Sequence, residues 1–175
     1  QKLGFIGLGI MGAPMALHLI KAGHALFVHT RSKLHPQIAE SSATQCSSAK
    51  DVAERADVIF TMLPDTPDVE AVLFGNRGVV EVAKMGDCVM LCGNQPAQAV
   101  EQQAAVLAER GVHCNDAPLS GGPDRAAFGT MSMLLACDPT LYERHRPMIE
   151  VLSSRVIHVG ERVGMASHAT MVNNL

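Results

Sequence analysis

Apolar residues recur along the chain in two rhythms. Short, nearly unbroken apolar runs alternate with stretches in which apolar positions return every three or four residues. The first kind reads as strands buried on both faces and the second as helices with one buried face. Strands are predicted near 2–7, 25–30, 57–63, 88–92, 112–115, 131–136 and 156–159, and helices near 11–22, 36–41, 48–55, 68–74, 96–110, 139–152 and 163–175. Met15, Leu19 and Ala22 set the rhythm of the first helix, Pro14 is tolerated in its opening turn, and Gly23 stops it. Ser48 is a good N-cap. The stretch Asp116-Ala-Pro-Leu-Ser-Gly-Gly-Pro123 is dense in breakers and reads as a loop. Regular alternation of strand and helix predicts βαβ units. The expected fold is α/β, a Rossmann-like, doubly wound, mostly parallel sheet with a C-terminal helix.

The junction of the first strand and first helix carries chemistry. It reads Gly7-Leu8-Gly9-Ile10-Met11-Gly12. In G-x-G-x-x-G the first glycine makes the tight turn, the second lets backbone approach a pyrophosphate, and the third lets the helix pack on the strand. The helix N-terminus then presents N–H groups and a positive dipole end to the phosphates. Gly7, Leu8, Gly9, Ile10, Met11 and Gly12 are therefore candidate cofactor contacts. An NAD site usually has an acid about twenty residues further on, bound to the ribose 2′-hydroxyl. Here no acid occurs between Gly12 and Glu40, and the second strand ends in His29-Thr-Arg-Ser-Lys33. Arg31 can stack on adenine and pair with a 2′-phosphate, while Thr30, Ser32 and Lys33 surround it with donors. The expectation is NADP(H) in preference to NAD(H).

Composition narrows the classes. A chain of 175 residues, 47% hydrophobic and 18% charged, can bury one full domain and a little more. A net charge of −3, no Trp, one Tyr and five Phe argue against a nucleic-acid partner. The five cysteines, Cys46, Cys88, Cys92, Cys114 and Cys137, are odd in number and form no C-x-x-C. They suit reduced, buried thiols and a cytoplasmic location. The eight histidines show no ligand spacing, and His113 and Cys114 would point to opposite faces of a strand, so no metal site is expected. No leader and no membrane span are expected, since no run approaches about 20 apolar residues.

Gly7-Leu-Gly-Ile-Met-Gly-Ala-Pro-Met15, Leu63-Pro64 and Asp116-Ala-Pro-Leu-Ser-Gly-Gly122 together resemble the β-hydroxyacid dehydrogenases, a family that includes 3-hydroxyisobutyrate and 6-phosphogluconate dehydrogenases. The opening run, with Lys21-Ala-Gly-His24 and His29–Lys33, is most similar to tartronate semialdehyde reductases, also called 2-hydroxy-3-oxopropionate reductases. The resemblance implies an NAD(P)-dependent oxidoreductase. It would move hydride between nicotinamide and a small β-hydroxyacid or aldehydo-acid such as tartronate semialdehyde or glycerate. It implies that Leu63, Pro64 and Gly93 lie beside the cofactor. Ser120, through its hydroxyl, and Gly121 and Gly122, through N–H groups, would hold the substrate carboxylate. Such a glycine pair also forms an anion-binding nest on physical grounds. Asn174 would place an amide next to the substrate.

Three departures qualify the resemblance. Aligned on the two terminal asparagines, the family's proton-donating Lys falls at Thr170, whose hydroxyl is a poor general acid near neutral pH. His168, two residues away, carries an imidazole but projects from another face of the helix. The hydroxyls that border nicotinamide in the family are replaced by Met90-Leu-Cys92-Gly93-Asn-Gln-Pro96, with Cys92 and Asn94 as partial substitutes. The family's all-helical second domain would follow the last helix. The expected division is an NAD(P)-binding domain over 1–162 and the start of an interdomain helix over 163–175. The expected partners are a small hydroxyacid and a second copy of the chain, in a homo-oligomer. The alternative is an NADP-binding module impaired in catalysis.

Overall fold

A computed structural model describes residues 1–173; Asn174 and Leu175 lie outside the described residues. Strand β1 (Leu3–Ile6) leads into helix α1 (Gly12–Lys21). Then follow β2 (Leu26–His29), α2 (Pro36–Ala39), β3 (Thr44–Gln45), α3 (Ala49–Arg55), β4 (Val58–Thr61) and α4 (Thr66–Phe74). The second half holds β5 (Cys88–Leu91), α5 (Ala97–Glu109), β6 (His113–Asp116), β7 (Leu119–Ser120), α6 (Gly122–Phe128), β8 (Met131–Ala136), α7 (Pro139–Leu152), β9 (Ser153–Gly160) and α8 (Met165–Asn173). All these strands join one sheet in the order β3-β2-β1-β4-β5-β6-β8-β7, with β9 paired to β8. Pairing is parallel from β3 to β6 and between β8 and β9; β8 runs antiparallel to β6 and β7. This is a Rossmann-like, mostly parallel α/β fold. The strand order reverses between β1 and β4, the place where such sheets open a crevice at their carboxyl ends.

The unbroken apolar runs are buried on both sides because alternate residues feed two cores. Phe5, Val58, Phe60, Cys88 and Met90 meet Met15 and Leu19 of α1 and Met148 and Ile149 of α7. The Phe5 and Phe60 rings stack at 5.8 Å between centroids. Ile6, Ile59, Val89 and Leu91 face the other way, onto Val52 of α3, Val69 and Leu73 of α4, and Val100 and Leu107 of α5.

The structure departs from the periodicity in four places. The 116–123 stretch is not all loop: it holds β7 and the first turn of α6. Helix α6 has seven residues and buries only Ala126, so it leaves no helical rhythm in the sequence. Strand β9 begins directly after α7, at Ser153, with no turn residues to announce it. The short strand β3 and a 3₁₀ turn over Val79–Glu81 carry no pattern long enough to read. No helix among the described residues is long and apolar enough to cross a membrane.

Candidate cofactor and substrate site

The glycine turn has three different physical characters. Gly7 has φ of +101°, and a Cβ there would run into the carbonyl oxygen of Met62 on the neighbouring strand. Gly12 sits against the carbonyl of Gly7, where a Cβ has no room. Gly9 is the opposite case: a Cβ there would meet nothing within 4 Å. The chain's own packing does not demand a glycine at position 9, whereas close approach of a ligand to the backbone does. Helix α1 begins just beyond, with no side chain capping its N-terminus at Met11. The Ala13 N–H donates to the Gly9 carbonyl at 3.0 Å and Pro14 has no N–H, so the Gly12 N–H is the first-turn donor left for another acceptor. Ile10 projects beside them, 75% exposed.

A crevice of about 210 Å³ opens over this turn. It gathers Gly7, Leu8, Gly9, Thr30, Arg31, Ser32, Leu63 and Pro64, from the ends of β1, β2 and β4. Ile10, Met11 and Gly12 head α1 outside its lining. Gly93 is placed differently: it is buried, and a Cβ there would lie 2.7 Å from the carbonyl oxygen of Leu63. It serves the close packing of two strand ends and does not line the crevice. The Thr30 and Ser32 hydroxyls lie 3.0 Å apart. A second cavity of about 260 Å³ adjoins the first, sharing His29, Arg31, Leu63 and Val72 and adding Ser47, Ser48, Asp68 and Arg77. Arg31 meets Asp68 of α4 at 2.9 Å.

Ser120 and Thr170 come together. They line one cavity of about 480 Å³ with Pro118, Ser132, Leu134, Arg155 and Ala169. Ser120 is exposed, Thr170 is buried with 9% exposure, and Gly121 and Gly122 follow Ser120 with φ of +134° and +76°. His168 opens instead onto a separate cavity beside Glu101 and Arg162. Cys92 cannot stand in for the missing hydroxyls, because strand alternation turns it into the core, 0% exposed, where burial pushes its thiol up to about 12. Asn94 is exposed. Asn174 lies outside the described residues.

The motif's first residue has a role that its sequence context did not signal. Asp116, fully buried, accepts from the Gly164 N–H at 2.9 Å, the Ser167 N–H at 2.9 Å and the Ser167 hydroxyl at 2.6 Å. It thereby caps α8, the helix that carries Thr170. Burial raises the Asp116 carboxyl, while these bonds pull it down. Sequence reading also missed Asp68 and Arg155. Asp68 is legible only as a residue in the first turn of α4, and Arg155 only as a polar position in β9; nothing local joins either to a site.

The fold and the glycine turn define a dinucleotide-binding α/β domain. Residues 2–160 match the family described as the NAD binding domain of 6-phosphogluconate dehydrogenase, and the chain belongs to that family. It is 39% identical over 160 residues to the 2-hydroxy-3-oxopropionate reductase of Escherichia coli (strain K12), covering 91% of this chain and 55% of that protein. It is 34% identical to the NAD-dependent L-serine dehydrogenase of Pseudomonas aeruginosa, covering 99% of this chain and 58% of that one. The solved structure of Psf3 in complex with NADP⁺ and 2-OPP superposes with a TM-score of 0.92 at 26% identity, covering 98% of this chain and 61% of that one. The chain spans a little over half the length of these relatives.

Proposed function

We propose that this chain is the NADP(H)-binding part of a β-hydroxyacid dehydrogenase acting on a small β-hydroxyacid or aldehydo-acid, such as glycerate or tartronate semialdehyde. The observation that carries this reading is the crevice at the sheet's switch point, floored by Gly7 and Gly9 beside an uncapped α1. The open space over Gly9 and the free helix terminus fit a pyrophosphate. When bound, nicotinamide supplies or accepts the hydride. The chain's own residues bind and orient. The turn and the Gly12 N–H at the head of α1 hold phosphates, and Thr30, Arg31 and Ser32 face the adenosine ribose. Leu63 and Pro64, backed by Gly93, wall the path toward the nicotinamide end. The Ser120 hydroxyl and the N–H groups of Gly121 and Gly122 hold the substrate carboxylate, with Arg155 supplying a positive charge in the same cavity. Thr170 stands where a proton must reach the carbonyl oxygen, and Asn174, outside the described residues, is assigned the amide next to the substrate. The cofactor domain is assigned to 1–162 and the interdomain helix to 163–175. Five free, buried thiols support a cytoplasmic setting. A homo-oligomer completes the reading.

A second reading rests on Thr170 alone. A hydroxyl there hydrogen-bonds but does not donate a proton readily, so the chain binds NADP(H) with impaired turnover. Both readings require the cofactor. Fluorescence titration is expected to give tighter binding of NADPH than of NADH. Arg31→Asp should abolish the preference, because a hydrogen bond to a charged group is worth about 1.5–3 kcal/mol. Equal affinities in both proteins would contradict the role given to Arg31.

A further inference from the structure

The absence of an acid after β2 is compensated in space. Asp68 stands in the first turn of α4, and its carboxylate meets the Arg31 guanidinium at 2.9 Å across the groove. Arg31 lines both adjoining cavities, and Asp68 lines the outer one with Ser47, Ser48 and Arg77. The ion pair therefore stands on the boundary between the two.

Its halves have opposite preferences. A guanidinium attracts a 2′-phosphate and offers it several donors. A carboxylate repels that phosphate and accepts instead from a free 2′-hydroxyl, the task an acid at the end of the second strand performs in NAD sites. Asp68 is the better anchored half. Its backbone N–H donates to Asp65 Oδ1 at 3.0 Å, and it sits at the helix end that favours negative charge. Arg31 is the more exposed half, with 75% of its side chain exposed against 21% for Asp68. A 2′-phosphate must draw Arg31 away from Asp68 or sit beside an unneutralised carboxylate; a 2′-hydroxyl need do neither.

We propose that Asp68 is a specificity-determining residue, which restrains the preference of Arg31 for a 2′-phosphorylated dinucleotide and lets the site accept the unphosphorylated one. The inference rests on the dinucleotide reading of the crevice.

The test is titration of NADPH and NADH, by nucleotide fluorescence, into the wild-type chain, Asp68→Asn and Asp68→Ala, with a thermal melt of each protein. Asp68→Asn keeps the shape and removes the charge. The ratio of the NADH to the NADPH dissociation constant is expected to rise about tenfold in both variants, equivalent to about 1.4 kcal/mol. A ratio unchanged within twofold in both variants, with both cofactors still binding, would overturn the role of Asp68 and leave the crevice reading intact. Failure of the wild type to bind either cofactor would overturn the crevice reading and this inference with it.

Discussion

Under the proposed function, turnover depends on Thr170. It is buried in the cavity that also holds Ser120 and Arg155, so a longer, titratable side chain at that position would reach the same space. Thr170→Lys should raise the rate of NADPH oxidation with tartronate semialdehyde slightly in this chain and strongly in a chain that carries the all-helical domain, where general acid assistance contributes ~10²- to 10⁴-fold. Absorbance at the NADPH band follows it; an unchanged rate would remove position 170 from the proton path. Residues of short motifs were legible as cavity-lining positions: Gly7, Gly9, Arg31 and the pair Leu63-Pro64 line the crevice, and Ser120 lines the cavity with Thr170. Asp68 and the capping role of Asp116 were not. Asp68 meets Arg31 across 37 positions and Asp116 meets Ser167 across 51, so only the folded sheet brings them together.

Helix α8 is an element held from outside itself. Its first turn is satisfied by Asp116 of β6, which ties the end of the sheet to the helix carrying Thr170. Helix α8 also packs on α5, β8 and β9. Asp116→Ala strips three acceptor contacts from buried donors and is expected to destabilise the fold by at least about 2 kcal/mol. Ser167→Ala, which keeps the two backbone bonds, should cost about 1 kcal/mol. Chemical denaturation at neutral pH separates the two, and equal stability of Asp116→Ala and wild type would refute the cap. At this scale the sequence was most readable where a rhythm lasted. Helix α7 was placed at its observed limits despite Pro147 within it. The short elements β3, β7 and α6 were missed because each buries at most one residue, which makes no period.

At the scale of the molecule, the described residues form a sheet between two apolar cores, with one buried side-chain oxygen left unpartnered among them. His145 of α7 is 1% exposed and has its Nδ1 3.4 Å from the Asn115 amide nitrogen, while the Asn115 carbonyl oxygen has no partner among the described residues. Burial, aided by Arg144 and His113, pushes the His145 imidazole down to about 4 from 6.5. The unfolded chain therefore binds the proton more readily. Stability from this group is complete above about 6.5 and is lost as pH falls toward about 4, at up to about 1.4 kcal/mol per unit. Burial raises the Asp87 and Asp116 carboxyls, which contribute with the opposite sign just above 3.8. Denaturation midpoints between pH 7 and pH 4.5 should fall, and His145→Leu should flatten the fall; parallel curves would contradict it. The central claim concerns the crevice over the glycine turn, and Gly9 isolates it. A Cβ there meets nothing within 4 Å, so Gly9→Val should melt with the wild type, as surface changes within about 0.5 kcal/mol do. NADPH titration of the two proteins is the decisive measurement. The account predicts binding at least about tenfold weaker in Gly9→Val, because the new methyls occupy the space assigned to the pyrophosphate; undiminished affinity in a folded Gly9→Val protein would contradict it.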